Sequence, residues 1–117
     1  MPADRLVAKN RDPLQPERCA EVLGALAAPE RLRIIRLLAD GERNVSQITA
    51  EAGIDPLNVS HHLSVLQRTG LVCRERRGRF VYYSITPAVL GEVIDAGVSK
   101  ESLDLGCCQL VLPPDEP

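Results

Sequence analysis

A mostly α domain closed by one small β-hairpin (α+β) is the fold class this sequence predicts, and three features predict it. Apolar residues recur at helical spacing through most of residues 16–69. Helix starts and stops punctuate the same stretch at Pro16, Pro29, Gly41, Gly53, Pro56 and Gly70. Residues 71–85 then turn to β-branched and aromatic types on either side of a glycine-bearing loop. The chain has 117 residues, 44% of them apolar, which suits one compact domain with a real core. Aromatics are 3% and Trp is absent, so that core must be aliphatic.

Each element has its own signal. Residues 1–15 are polar, contain Pro13 and read as a flexible arm. Pro16 suits the first turn of a helix whose apolar stripe is Cys19, Val22, Leu23 and Leu26. Pro29 starts a second helix through Leu32, Ile34, Ile35, Leu37 and Leu38, stopped at Gly41. Asn44, with Gln47 three residues on, forms an approximate capping box for a short helix carrying Val45, Ile48 and Ala52. Asp55 caps the next helix, with Pro56 in its first turn, and this one runs to about Thr69. A very short helix, a tight turn and a longer helix make a helix-turn-helix. The segments 71–74 and 80–85, joined through Arg76-Arg77-Gly78-Arg79, form a hairpin with a basic tip. Thr86-Pro87 opens a further helix over roughly 87–96, ending at Gly97. In the tail, 103–105 and 109–112 read as short strands. The domain plan is therefore an arm (1–15), a helix-turn-helix and hairpin domain (16–97) and a tail with adjacent cysteines (98–117).

Net charge is −2, yet the charges are not evenly spread. Residues 58–86 hold five arginines against Glu75 alone, between two acidic segments. Such a block marks a local anion-binding surface. In the helix from Pro56, Val59, Leu63 and Leu66 share one face, while Leu57, His61, Ser64 and Arg68 lie opposite, flanked by Asn58 and Ser60. Amide, hydroxyl and imidazole groups are the types that read base edges in a major groove. Arg77 and Arg79 on the hairpin would neutralise phosphates beside that helix. His62 falls nearer the core face, as a structural residue or a phosphate contact.

The segments Leu26-Ala27-Ala28-Pro29-Glu30-Arg31-Leu32-Arg33-Ile34-Ile35, Val59-Ser60-His61-His62-Leu63-Ser64-Val65-Leu66, Gly70-Leu71-Val72 and Arg77-Gly78-Arg79-Phe80-Val81-Tyr82-Tyr83 together resemble the ArsR/SmtB family. These are bacterial winged helix-turn-helix repressors that respond to metals, metalloids or redox signals. The resemblance spans about residues 18–90. It implies a homodimer with a helical interface built from the first and last helices, and an inverted-repeat operator in double-stranded DNA whose half-sites lie roughly 34 Å apart.

Ligand sites in that family occupy several places, and two of them are missing here. Where a metalloid site would place two thiols before the recognition helix, this chain has Asn44 and Ser46. Where a zinc or cobalt site would need histidines on the last helix, residues 88–96 contain none. There remain Cys19, Cys73 and the adjacent pair Cys107-Cys108, expected as thiols in a reducing cytosol. Soft sulfurs on a short turn suit As(III) or Sb(III), among other thiophilic ions. Trivalent metalloids favour three thiolates, so Cys19 of one protomer is expected to complete Cys107 and Cys108 of the other across the dimer. Cys73 reads as packing. An alternative input is oxidation or persulfidation of Cys107 or Cys108. No apolar run reaches a membrane span and no secretory h-region follows Met1, so a cytoplasmic protein is expected; and since His61 and His62, the candidates for a Cys–His nucleophile, fall on the presumed DNA face, no enzyme activity and no organic cofactor are expected.

Overall fold

The computed structural model describes residues 15–113. The expected arm therefore lies outside the described residues, apart from Gln15. Four helices come first: α1 (Pro16–Leu26), α2 (Pro29–Asp40), α3 (Val45–Ala52) and α4 (Pro56–Arg68), with the two-residue strand β1 (Arg43–Asn44) before α3. The expected capping box forms at α3: the Asn44 side chain accepts from the Gln47 backbone N–H, and the Gln47 side chain accepts from that of Asn44, both at 2.9 Å. At α4 the Asp55 carboxylate accepts from the Leu57 N–H at 2.9 Å.

The hairpin follows as β2 (Val72–Arg77) and β3 (Phe80–Ile85), antiparallel, with Arg77 opposite Phe80 and Val72 opposite Ile85. Gly78 turns the chain at φ 63, a value glycine takes without steric cost. β1 adds to the free side of β3, so this sheet runs β1-β3-β2.

The segment expected to be a helix at 87–96 is not one. A turn at Thr86–Val89 leads into β4 (Leu90–Asp95), which pairs antiparallel with β5 (Val98–Asp104). Ala96 and Gly97 both have positive φ, 52 and 80, the two-residue loop that matches strand twist. Gly97 is thus a hairpin turn rather than a helix stop. Both tail strands are present, the first longer than expected: β5 and β6 (Gln109–Val111) complete a second sheet in the order β4-β5-β6. The last helix expected at a dimer interface is accordingly absent among the described residues.

One aliphatic core holds these layers together. Ile34, Ile35, Ile48, Val59, Leu63 and Leu66 are fully buried, and Leu103 of β5 joins the same cluster at 0% exposure. The second sheet is therefore packed on the helices and not merely appended to them. Of the stripe expected on α1, Cys19, Val22 and Leu26 are buried with Ala25, whereas Leu23 sits on the flank and is 43% exposed. No helix among the described residues is long and apolar enough to cross a membrane.

Candidate functional site

Two separate regions carry chemistry, one polar and basic, the other built from sulfur. The first is the outer face of α4 with the hairpin beside it. Val59, Leu63 and Leu66 anchor α4 in the core at 0% exposure, which fixes the opposite face outward. Asn58, Ser60, His61, Ser64 and Arg68 are all exposed on it, and Leu57 is 79% exposed at its start.

The two hairpin arginines differ. Arg79 is exposed and makes no ion pair among the described residues. Arg77 donates a very short hydrogen bond to Glu42, lies 3.4 Å from Glu75 and stacks 4.2 Å above the Tyr82 ring. The bond to Glu42 holds its guanidinium even further into the charged range than usual. Its charge is thus partly neutralised by its own chain.

His62 is half-buried and faces inward. Its Nδ1 stands 3.2 Å from a guanidinium nitrogen of Arg31, whose Nε donates to the Ala25 carbonyl at the end of α1. Desolvation, and then the Arg31 charge, lower its pKa below the ordinary value, so the neutral ring accepts from Arg31. Arg18 makes a similar tie from the other end of α1, donating at 2.9 Å to the carbonyl of Thr69, the C-cap of α4. Sequence reading missed both ties, because each joins residues far apart in the chain and has no local signature.

The second region lies where the β5–β6 turn meets α1. Asp104 accepts from the Gly106 N–H and the Leu105 N–H donates to Cys108, each at 2.9 Å, which holds the turn that presents Cys107 and Cys108. Their sulfurs are 3.7 Å apart. Cys19 of the same chain points into this turn, and the sulfurs of Cys19, Cys107 and Cys108 all lie within 4.8 Å of one another. The meeting expected across a dimer therefore occurs inside one chain, because β4–β6 fold the tail back over α1. Cys19 and Cys107 are joined as a disulfide, in place of the free thiols expected, and Cys108 remains free and exposed. Cys73 stands apart from the cluster, half-buried, with its sulfur 3.4 Å from the Ser84 hydroxyl.

As thiolates the three could share a soft ion; as drawn together here, two of them share a bond.

Residues 28–73 match the family model described as bacterial regulatory protein, arsR family. The chain is 34% identical over 108 residues to the transcriptional repressor SmtB of Mycobacterium tuberculosis, an alignment covering 88% of this chain and 80% of that protein. The homodimeric winged helix-turn-helix DNA-binding domain Mb0332 of Mycobacterium bovis is similar at 39% identity and a TM-score of 0.59, over 62% of this chain and 67% of that one. A solved structure titled as a possible transcriptional regulator for arsenical resistance is 37% identical, with a TM-score of 0.55, over 58% of this chain and 71% of that one.

Proposed function

The chain belongs to the ArsR family of bacterial regulatory proteins, winged-helix regulators of transcription and not enzymes, and from that premise we propose a homodimeric repressor released from its operator by As(III). Two protomers place their α4 helices in successive major grooves of an inverted repeat. Asn58, Ser60, His61 and Ser64 approach base edges, Arg68 reaches a base or phosphate, and Arg77 and Arg79 approach the backbone. Cys19, Cys107 and Cys108, reduced to thiols, bind As(III) or Sb(III) through sulfur, each thiol passing its proton to a hydroxyl of the metalloid, which leaves as water. A relative titled for arsenical resistance and another that is homodimeric support the reading. Such a protein works in the cytoplasm, where the thiols are kept reduced.

The observation that carries the proposal is the three sulfurs of one chain within 4.8 Å. Ligand and DNA must weaken one another by the same factor, typically about 5–150-fold. The test is an arsenite titration of the reduced protein, followed by near-ultraviolet thiolate absorption, with and without operator duplex. The expected outcome is one equivalent per chain, bound more weakly when operator is present. Equal affinity in both conditions refutes the coupling, and undiminished binding in Cys108→Ser refutes the site.

The Cys19–Cys107 disulfide supports a second reading, in which the same fold responds to oxidants or sulfide. Mass spectrometry after mild oxidation separates the two. A response to oxidant that spares arsenite-treated protein favours metalloid sensing, and a response to oxidant alone favours redox.

A further inference from the structure

We propose that Arg18 is a positioning residue that carries the state of the sulfur cluster to α4. The inference rests on the reading of that cluster as the sensor, and it names a route the cluster's own residues do not supply.

Arg18 is adjacent in sequence to Cys19, so any movement that draws Cys19 toward the β5–β6 turn moves the backbone of Arg18 as well. Its guanidinium reaches 51 residues along the chain to the Thr69 carbonyl, at 2.9 Å. Thr69 ends α4, and the last carbonyls of a helix have no partner within it. Arg18 thus supplies a donor and a positive charge where the helix carries its negative end. The Thr69 hydroxyl is already used on the Leu66 carbonyl and its residue is 8% exposed, so the end being gripped is itself held firmly. Gly70, next along, turns the chain at φ 82, a conformation glycine takes without steric cost.

Packing alone would transmit such a movement poorly. Between α1 and α4 runs an open groove of about 310 Å³, lined by Glu21, Gly24, Ala25, Val65, Arg68 and Thr69. The small residues Gly24 and Ala25 leave slack there, and a Cβ at Gly24 would touch nothing within 4 Å. With slack in the apolar contact, the Arg18–Thr69 hydrogen bond is what ties the cluster end of α1 to the end of the helix bearing Ser64 and Arg68. The Arg31 bond to the Ala25 carbonyl holds the other end of α1 to His62, so a shift at Cys19 becomes a tilt about that far end.

The test is a linkage cycle on the full chain, with operator affinity measured for the reduced form and the arsenite-bound form of wild type, Arg18→Met and Arg18→Lys. A third arm uses diamide, an azo oxidant that takes up both thiol hydrogens as the Cys19–Cys107 bond forms. Arg18→Met keeps the length of the side chain and removes its donors. The expected result is arsenite uptake and unliganded operator affinity within about threefold of wild type, while the ligand-induced loss of affinity shrinks at least fivefold from the range typical of coupled sites. Arg18→Lys, with one donor group, restores part of it. An unchanged loss in Arg18→Met overturns the proposal. So does a collapse of its unliganded binding, which would make Arg18 a support of α4 and nothing more. If wild type ignores arsenite but responds to diamide, the metalloid reading fails and the diamide arm alone judges Arg18; if wild type responds to neither, both readings fall.

Discussion

Arg79 and Arg77 lie two residues apart on one hairpin, yet they should contribute very differently to DNA affinity. Arg79 is exposed and unpaired among the described residues, whereas Arg77 is engaged by Glu42, Glu75 and the Tyr82 ring. An arginine on a phosphate releases a condensed counterion, and each such contact adds about −0.9 to the slope of log affinity against log salt. A homodimer presents two hairpins, so Arg79→Ala should flatten the slope by roughly 1.8. From 50 to 200 mM salt, the advantage of wild type over Arg79→Ala should then shrink by about twelvefold. Arg77→Ala should flatten it by less than half as much, because binding DNA must first compete with Glu42 for the guanidinium. Fluorescence anisotropy of a labelled operator duplex at four or five salt concentrations measures both slopes. Parallel lines for wild type and Arg79→Ala, or a larger change for Arg77→Ala, would refute the reasoning.

Placement of the sulfur site within one chain predicts the outcome of subunit mixing: heterodimers of Cys19→Ser with Cys108→Ser chains regain no three-sulfur site, and arsenite titration of an equal mixture checks it, since a site across the dimer would recover one of the two sites in each heterodimer, about a quarter of the wild-type total. Asn44→Ala removes the side-chain acceptor of the α3 capping box, leaving the Gln47 side chain on the residue-44 N–H, and should cost about 0.5–2 kcal/mol in urea unfolding, with an unchanged denaturant slope. His62 should make stability depend on pH in a defined window. Its folded pKa lies below its unfolded value of 6.5, so the unfolded chain binds more protons in between. The stabilisation is complete above pH 6.5 and is lost as pH falls through the lowered folded pKa; thermal melts should show that slope in wild type and not in His62→Gln.

The parts of the fold legible in the sequence are those decided within a few residues. Asn44 and Gln47 sit at the spacing of a capping box, Asp55-Pro56 at that of a helix start, and Gly78 where a hairpin must turn; each does what its neighbours require. The outward face of α4 was legible for the same reason, since burying Val59, Leu63 and Leu66 leaves Asn58, Ser60, His61 and Ser64 nowhere else to point. Residues 87–96 were misread because local signals there fit two structures. Val89 and Val93 stand four apart, as on a helix, and Gly97 resembles a helix stop, but pairing with β5 and the burial of Leu103 decide for strand. Long-range packing overrides propensity in such cases.

That single change of element alters the site more than the fold. A terminal helix would carry Cys107 and Cys108 away along its axis and leave a partner chain to supply the third sulfur. A hairpin returns the chain on itself, so residues 107 and 108 come to lie over α1 and meet residue 19 from 88 positions earlier. On the proposed reading, a sulfur site assembled in this way is complete in each protomer before dimerisation. The route proposed for its influence on DNA accordingly runs through the protomer's own helices, from α1 to α4. In the proposed homodimer, pairing has a different physical role: it would double the number of α4 helices on the operator, so a small tilt in each is multiplied over two half-sites.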